Sequence, residues 1–221
     1  LTATYTGFVL GESTAVLLTP AILSTTAALN SAPGTYPITV SGATAANYTI
    51  TFVNGTLTVQ PKQNQVITFN TLATKTYGNA DFAAGATSTN STIPITYVSS
   101  NTAVATMSGS NIHIVGAGTT NITASQAGND GYFSAADVTR ALTVNKAALT
   151  VKVRDTTKVQ GEPNPPFTIT YTGFVLGETV ANLTTAPAIA TTAETVSAPG
   201  YYTLTPGGAV SQNYNFIYVT G

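Results

Sequence analysis

The segment Tyr5-Thr6-Gly7-Phe8-Val9-Leu10-Gly11-Glu12 recurs without a change as Tyr171-Thr172-Gly173-Phe174-Val175-Leu176-Gly177-Glu178, 166 residues further on. The same displacement carries Ser31-Ala32-Pro33-Gly34 onto Ser197-Ala198-Pro199-Gly200, Asn47-Tyr48 onto Asn213-Tyr214, and Val53-Asn54-Gly55 onto Val219-Thr220-Gly221. A long internal repeat dictates module organisation before any local reading of secondary structure. Two related units must flank a different one, which divides the chain into 1–61, 62–146 and 147–221. Units this small bury a limited share of their surface, so each core is expected to be thin.

What the units are made of is β structure. Threonine supplies 44 of the 221 residues. Its β-branched side chain suits an extended backbone, and its hydroxyl keeps a sheet face wet without charge. Charged residues make up only 7%, but 43% of the chain is hydrophobic and the net charge is -1, which is not the signature of disorder. Seven Lys and Arg in 221 residues leave no electrostatic footprint for nucleic acid. The absence of cysteine excludes disulfides and thiolate metal sites. No apolar run approaches the ~18 residues of a membrane span.

In the first unit, Tyr48 to Val53 and Thr56 to Val59 alternate around Asn54-Gly55, which predicts a hairpin with a type I′ turn. Pro33-Gly34 predicts a turn into a strand from Tyr36 to Val40, and Glu12 to Leu18 one short helical turn, repeated at Glu178 to Thr184. In the second unit, Val66 to Phe69, Ile95 to Val98, Val104 to Met107, Asn111 to Val115, Thr119 to Ser125 and Val138 to Val144 read as short strands. Their spacing suggests a sandwich. Leu149 to Val153 reads as the first strand of the third unit.

Both junctions are short. Val144 to Val151 has no Gly, Pro or Ser run, and Gln60-Pro61-Lys62-Gln63 contains a proline, so neither is a flexible tether. The expectation is a stiff, rod-like chain of units with separate cores. The segment Ala147 to Thr170 precedes the second Tyr-Thr-Gly-Phe copy, whereas only Leu1 to Thr4 precede the first, and no counterpart of Thr56 to Val59 follows Gly221. The first unit is therefore expected to lack its N-terminal strand and the third its C-terminal strand. Unpaired backbone edges of this kind invite strand pairing with another copy.

Together these residues carry a resemblance. Tyr-Thr-Gly-Phe-Val-x-Gly-Glu, Ala-Pro-Gly-x-Tyr, Asn-Tyr and Asn-Gly-Thr-Leu-Thr-Val resemble the MBG-type module of large bacterial surface proteins. Lys158-Val159-Gln160-Gly161-Glu162-Pro163-Asn164-Pro165 is similar to that family's opening motif, with Gln160 in place of its usual tyrosine. Lys75-Thr76-Tyr77-Gly78, Tyr97 to Asn101, Ala103 to Thr106 and Ile114 to Thr120 resemble bacterial immunoglobulin-like (Big-type) domains. The resemblance implies a mostly β tandem array, a central Ig-like sandwich between two β-grasp-like modules with one helical turn each. It also implies an extracellular, cell-surface or secreted setting.

Chemistry-bearing residues are sparse. His113 is the single histidine, with no carboxylate within fifteen residues, and reads as structural rather than as a base or metal ligand. Glu12 and Glu178, at equivalent repeat positions, are expected to cap or flank the helical turns. Asp130 and Asp137, near the turn Asn129-Asp130-Gly131, are the best calcium candidates, although their spacing is not that of an EF-hand. Tyr201 and Tyr202 are the candidate ligand-binding aromatics, since flat amphipathic rings suit carbohydrate. Alternation puts Tyr214, Phe216 and Tyr218 on one strand face, more simply a core stripe. No catalytic residues and no cofactor are indicated. The favoured reading is a non-catalytic spacer whose partners are neighbouring modules of the same polypeptide. The alternative is a carbohydrate- or protein-binding module.

Overall fold

Short alternating stretches become strands throughout residues 1–221, all described here by a computed structural model. The helical turns are two three-residue 3-10 turns, Thr14–Val16 and Val180–Asn182, at equivalent repeat positions. The chain is mostly β and forms two compact units, 1–64 with 129–133, and 65–128 with 134–221.

In the first unit Gly34–Ser41 is the central strand of an antiparallel sheet, flanked by Ile22–Thr25 and Gly55–Val59, while Leu17–Thr19 pairs with Thr44–Ala45. The backbone of Gln63 is clamped by the loop 129–133: its N–H donates to the Gly131 carbonyl at 2.8 Å and its carbonyl accepts from Phe133 N at 2.9 Å. The hairpin expected at Asn54-Gly55 does not form. Gly55 lies opposite Ile38 without the left-handed φ that a type I′ turn requires, and Asn54 Oδ1 accepts from Val40 N at 3.3 Å. Thr56 to Val59 thus belongs to a ladder with Gly34–Ser41, and Tyr48 to Val53 runs extended with no ladder partner. Ala43 is the one buried apolar residue of this unit; Tyr5, Phe8, Leu17, Leu23, Ile38 and Tyr48 are half-buried.

The second unit is better packed. A four-stranded sheet is ordered Ile95–Ser99, Gly118–Gln126, Val138–Asn145, Lys75–Thr76, and a three-stranded sheet Ala105–Ser108, Asn111–Ile114, Phe82–Ala83. Ile122 and Leu142 of one and Ile112 of the other are fully enclosed in a common cluster. Ala147–Val153 then forms the middle of a further sheet, antiparallel to Ile169–Thr172 and parallel to Tyr214–Val219. Its Leu149, Val151 and Val153 have no solvent exposure, each a burial worth roughly 1.5–3 kcal/mol. Lys152 and Arg154 alternate with them on the solvated face.

Residue 146 is not a gap in the packing. Leu142, Val144, Ala147, Leu149 and Val151 belong to one buried cluster, so the separate thin cores expected on either side of this junction are continuous. The buried positions switch from even to odd numbers at Asn145-Lys146, two consecutive exposed residues. Because side chains alternate faces with period 2, that single phase shift turns the chain from one sheet into the next without opening the core.

A tyrosine–glutamate seam as the candidate functional site

The repeated segment Val175-Leu176-Gly177-Glu178 reverses direction tightly. Leu176 (φ 53°) and Gly177 (φ 74°) are both left-handed, and Glu178 N donates to Val175 O at 3.0 Å. Leu10 (φ 55°) and Gly11 (φ 75°) repeat the turn in the first unit. A left-handed leucine costs roughly 1–2 kcal/mol, and Leu10 is almost wholly exposed, so no packing offsets that cost. Leu10→Asn is therefore expected to raise the first unit's stability by about 1 kcal/mol in denaturant unfolding, because asparagine tolerates this conformation.

The turn delivers a carboxylate. Tyr214 Oη donates to Glu178 Oε2 at 2.5 Å and accepts from Val175 N at 3.1 Å. The ring stands edge-on to Phe174 at 5.4 Å, a favourable aromatic geometry. The first unit builds the same cluster: Tyr48 Oη donates to Glu12 and accepts from Val9 N, and Phe8 meets Tyr48 edge-on at 5.5 Å. Capping falls to other residues. The side chains of Ser13 and Thr179 accept from Ala15 N and Ala181 N, and Asn182 Oδ1 accepts from Thr179 N, completing a capping box. The glutamates, expected to cap or flank the turns, flank them, and their carboxylates accept from tyrosine hydroxyls.

Only the second copy has a third member. Tyr77 Oη donates to the other carboxylate oxygen, Glu178 Oε1, at 2.9 Å, and its ring stands perpendicular to Tyr214 at 5.8 Å. Gly78 (φ +91°) lets the chain pass beside Val175; a Cβ there would sit 2.7 Å from that side chain. Close by, Ala117 N donates to Asn213 Oδ1 and Ala147 N to Asn213 O, both at 2.9 Å. Lys146 Nζ donates to Ser211 O at 2.8 Å. The repeated Asn-Tyr pair at 213–214 is thus tied by its side chains to Ala117 and Tyr77 and by its backbone to Ala147, the first residue of the strand Ala147–Val153.

Burial pushes the Tyr214 hydroxyl up to about 12, with the Glu178 hydrogen bond adding to it. Tyr77 is raised by the same two causes in the same order, and Tyr171 by burial. Tyr48 is raised chiefly by its bond to Glu12. A folded pKa above the unfolded value of about 10 contributes stability that is intact below pH ~10 and is lost as pH rises through about 12. An alkaline titration followed at the tyrosinate band should show a step well above the ~10 of a free phenol, the Tyr214 hydroxyl ionising at about 12 together with loss of the β circular-dichroism signal. One tyrosine transition near pH ~10, with the sheet signal intact beyond it, would contradict this.

Elsewhere polar groups stay dispersed. His113 Nδ1 lies 2.7 Å from Asp81 Oδ1, both about half exposed. The carboxylate comes from 32 residues away, outside the fifteen-residue neighbourhood that holds none, because the Ile112–Phe82 register brings the neighbouring positions together. An exposed pair of this kind contributes little to stability. Asp130 and Asp137 are both exposed, and Asn129 Oδ1 is engaged by Gly131 N and Tyr132 N of its own turn. No three His, Cys, Asp or Glu side chains gather in a group that could hold a metal ion. Tyr201 is fully exposed, while Tyr202 is half-buried with its hydroxyl donating to Ala198 O, as Tyr36 donates to Ala32 O. Tyr214, Phe216 and Tyr218 grade from buried to half-buried to exposed.

Two copies of a small β module, each organised around a tyrosine–glutamate pair, define a repeat protein. The family model described as MBG domain (YGX type) matches residues 1–58 and 149–221. The chain belongs to the MBG domain family. Modules of this family are non-enzymatic repeats that occur in extracellular surface proteins. No curated protein matches the chain. No helix is long and apolar enough to cross a membrane.

Proposed function

We propose that this chain is a non-catalytic spacer segment of a bacterial cell-surface or secreted adhesin-like protein. In this reading, MBG modules at 1–61 and 147–221 flank an immunoglobulin-like (Big-type) domain at 62–146, and the array projects a distal binding region. The observation that carries it is the Tyr77–Glu178–Tyr214 seam. There a repeat's tyrosine–glutamate cluster is engaged by Tyr77 from a neighbouring sheet rather than left to solvent. A carboxylate whose two oxygens both accept tyrosine hydroxyls is occupied by structure. The experiment inserts the chain between a cell-wall anchor and a reporter binding head and measures capture of ligand-coated beads. Capture should rise with the insert and be unaffected by Tyr201→Ala. Unchanged capture would contradict the spacer.

One observation favours a second reading, a glycan- or protein-binding module: the Tyr201 ring is wholly exposed. Saturable glycan-array binding that Tyr201→Ala abolishes would establish it over the spacer.

A further inference from the structure

The sheets of the central stretch are guarded at one side and open at the other. At one edge of the four-stranded sheet, Lys75–Thr76 is two residues long and leads into Tyr77 and Gly78, against which the C-terminal repeat sets Glu178 and Val175. Beside it, at an edge of the three-stranded sheet, Phe82–Ala83 is equally short, follows Asp81 and carries the Lys75 ammonium 4.4 Å from its ring. Short strands, charge and cover are the usual means of keeping an edge from pairing with another chain. The opposite edge of the four-stranded sheet, Ile95–Ser99, has none of them. It is five residues long, pairs without a bulge with Gly118–Gln126, and has no strand on its other side. It belongs to the unrepeated stretch, so neither copy of the repeat assigns a missing strand to it. From Phe82 to Asn129 the sequence holds no Asp, Glu, Lys or Arg. Val98 is 66% exposed, and Thr96 beside it is exposed. Ser100 N donates to Asn121 O at 2.9 Å, one step beyond the Ser99–Ile122 pair. Bonded and non-bonded pairs alternate along an antiparallel ladder, so Thr96 and Val98 bond inward to Gly118–Gln126. The backbone N–H and C=O groups of Ile95, Tyr97 and Ser99 then face outward, and no group of the chain meets them.

We propose that Ile95–Ser99 is a self-pairing edge through which two copies of this chain join. The copies meet antiparallel about a two-fold axis at Tyr97, so that the two four-stranded sheets become one. That register uses every outward group: Tyr97 pairs with its own counterpart and Ile95 with the partner's Ser99, each pair exchanging two backbone hydrogen bonds. On the solvent face it sets Thr96 opposite the partner's Val98, two β-branched side chains that suit a cross-strand pair. The occupant is a second copy because the edge is neutral and self-complementary. A charged partner finds no opposite charge on it, and the like charges that hold edges apart are missing from both copies. Five residues a side bury less than the ~1,200 Å² of a standard interface, so the pairing is reversible and set by concentration. It stands independently of the spacer reading.

The test is analytical ultracentrifugation of the full 221-residue chain over a concentration series reaching about 1 mM. A reversible monomer–dimer equilibrium is expected. At high concentration, hydrogen exchange should slow at the amides of Ile95, Tyr97 and Ser99, with no change at Thr96 and Val98, which are already bonded. Thr96→Lys combined with Val98→Lys sets lysine against lysine twice across the axis and should weaken dimerisation at least about tenfold. Thr96→Lys combined with Val98→Glu sets lysine against glutamate in the same two places and should retain the dimer. A chain that stays monomeric at about 1 mM would overturn the proposal. So would a dimer indifferent to the lysine pair, since another edge would then be the contact, and so would a dimer that both variants abolish alike, since the register would then be wrong. Both positions are exposed, and circular dichroism checks that the variants fold. Exchange on the unaltered chain decides the matter even if one of them does not.

Discussion

Tyr214→Ala is expected to destabilise the unit formed by residues 65–128 and 134–221 by about 3–5 kcal/mol, as large-to-small substitution of a buried aromatic does. The side chain is 2% exposed, stands perpendicular to both Tyr77 and Phe174, and makes hydrogen bonds to Glu178 and Val175 N. Its removal opens a cavity and leaves one oxygen of a carboxylate without its donor inside the seam. Tyr48→Ala, the same change at the equivalent position, is expected to cost far less. Tyr48 is half-buried, touches a single aromatic ring and has no counterpart of Tyr77. Urea unfolding of both variants followed by circular dichroism makes the comparison. Equal losses would mean that burial at the seam contributes nothing beyond the repeat's own Tyr–Glu pair.

Gly173→Ala and Gly7→Ala give the second large contrast. Both glycines take left-handed φ, +115° and +95°, so alanine is strained at either by roughly 1–2 kcal/mol. A Cβ at Gly7 meets nothing within 4 Å, whereas at Gly173 it would lie 2.4 Å from the carbonyl oxygen of Ala148. That oxygen belongs to the central strand Ala147–Val153, whose apolar side chains are locked in the core, so it has nowhere to retreat. Gly173→Ala should therefore cost roughly 1–3 kcal/mol beyond the strain term, the usual range for overpacking. Denaturation midpoints of the two variants should differ in that direction. Equal midpoints would show that the strand yields easily.

Much of this was legible in the residues, and the parts that were not share a physical reason. The 166-residue displacement correctly equates Tyr48 with Tyr214, Glu12 with Glu178 and one 3-10 turn with the other. Alternation also located Ile95–Ser99, Gly118–Gln126, Val138–Asn145 and Ala147–Val153. Alternation reports which face of a strand is buried but not which strand lies beside it. Asn54-Gly55 therefore read as a hairpin although Gly55–Val59 pairs with Gly34–Ser41, and Tyr214–Val219 pairs in parallel with Ala147–Val153. Contacts made through very short strands carry even less signal. Tyr77 reaches Glu178 across 101 residues from the end of the two-residue strand Lys75–Thr76, and Asp81 meets His113 from the edge of Phe82–Ala83. The phase change at Asn145-Lys146 was visible as a junction, but only the packing of Val144 with Ala147 and Leu149 makes it a continuous core.

Single-molecule pulling on the full chain bears most directly on the idea that the seam makes one mechanical body of the central stretch, 65–128 with 134–146, and the C-terminal repeat. Residues 65–128 and 134–221 should give way in one cooperative event, separate from that of the first unit, and Glu178→Ala should split or weaken that event. Independent rips for the central stretch and the C-terminal repeat in the unmodified chain, indifferent to Glu178→Ala, would contradict it.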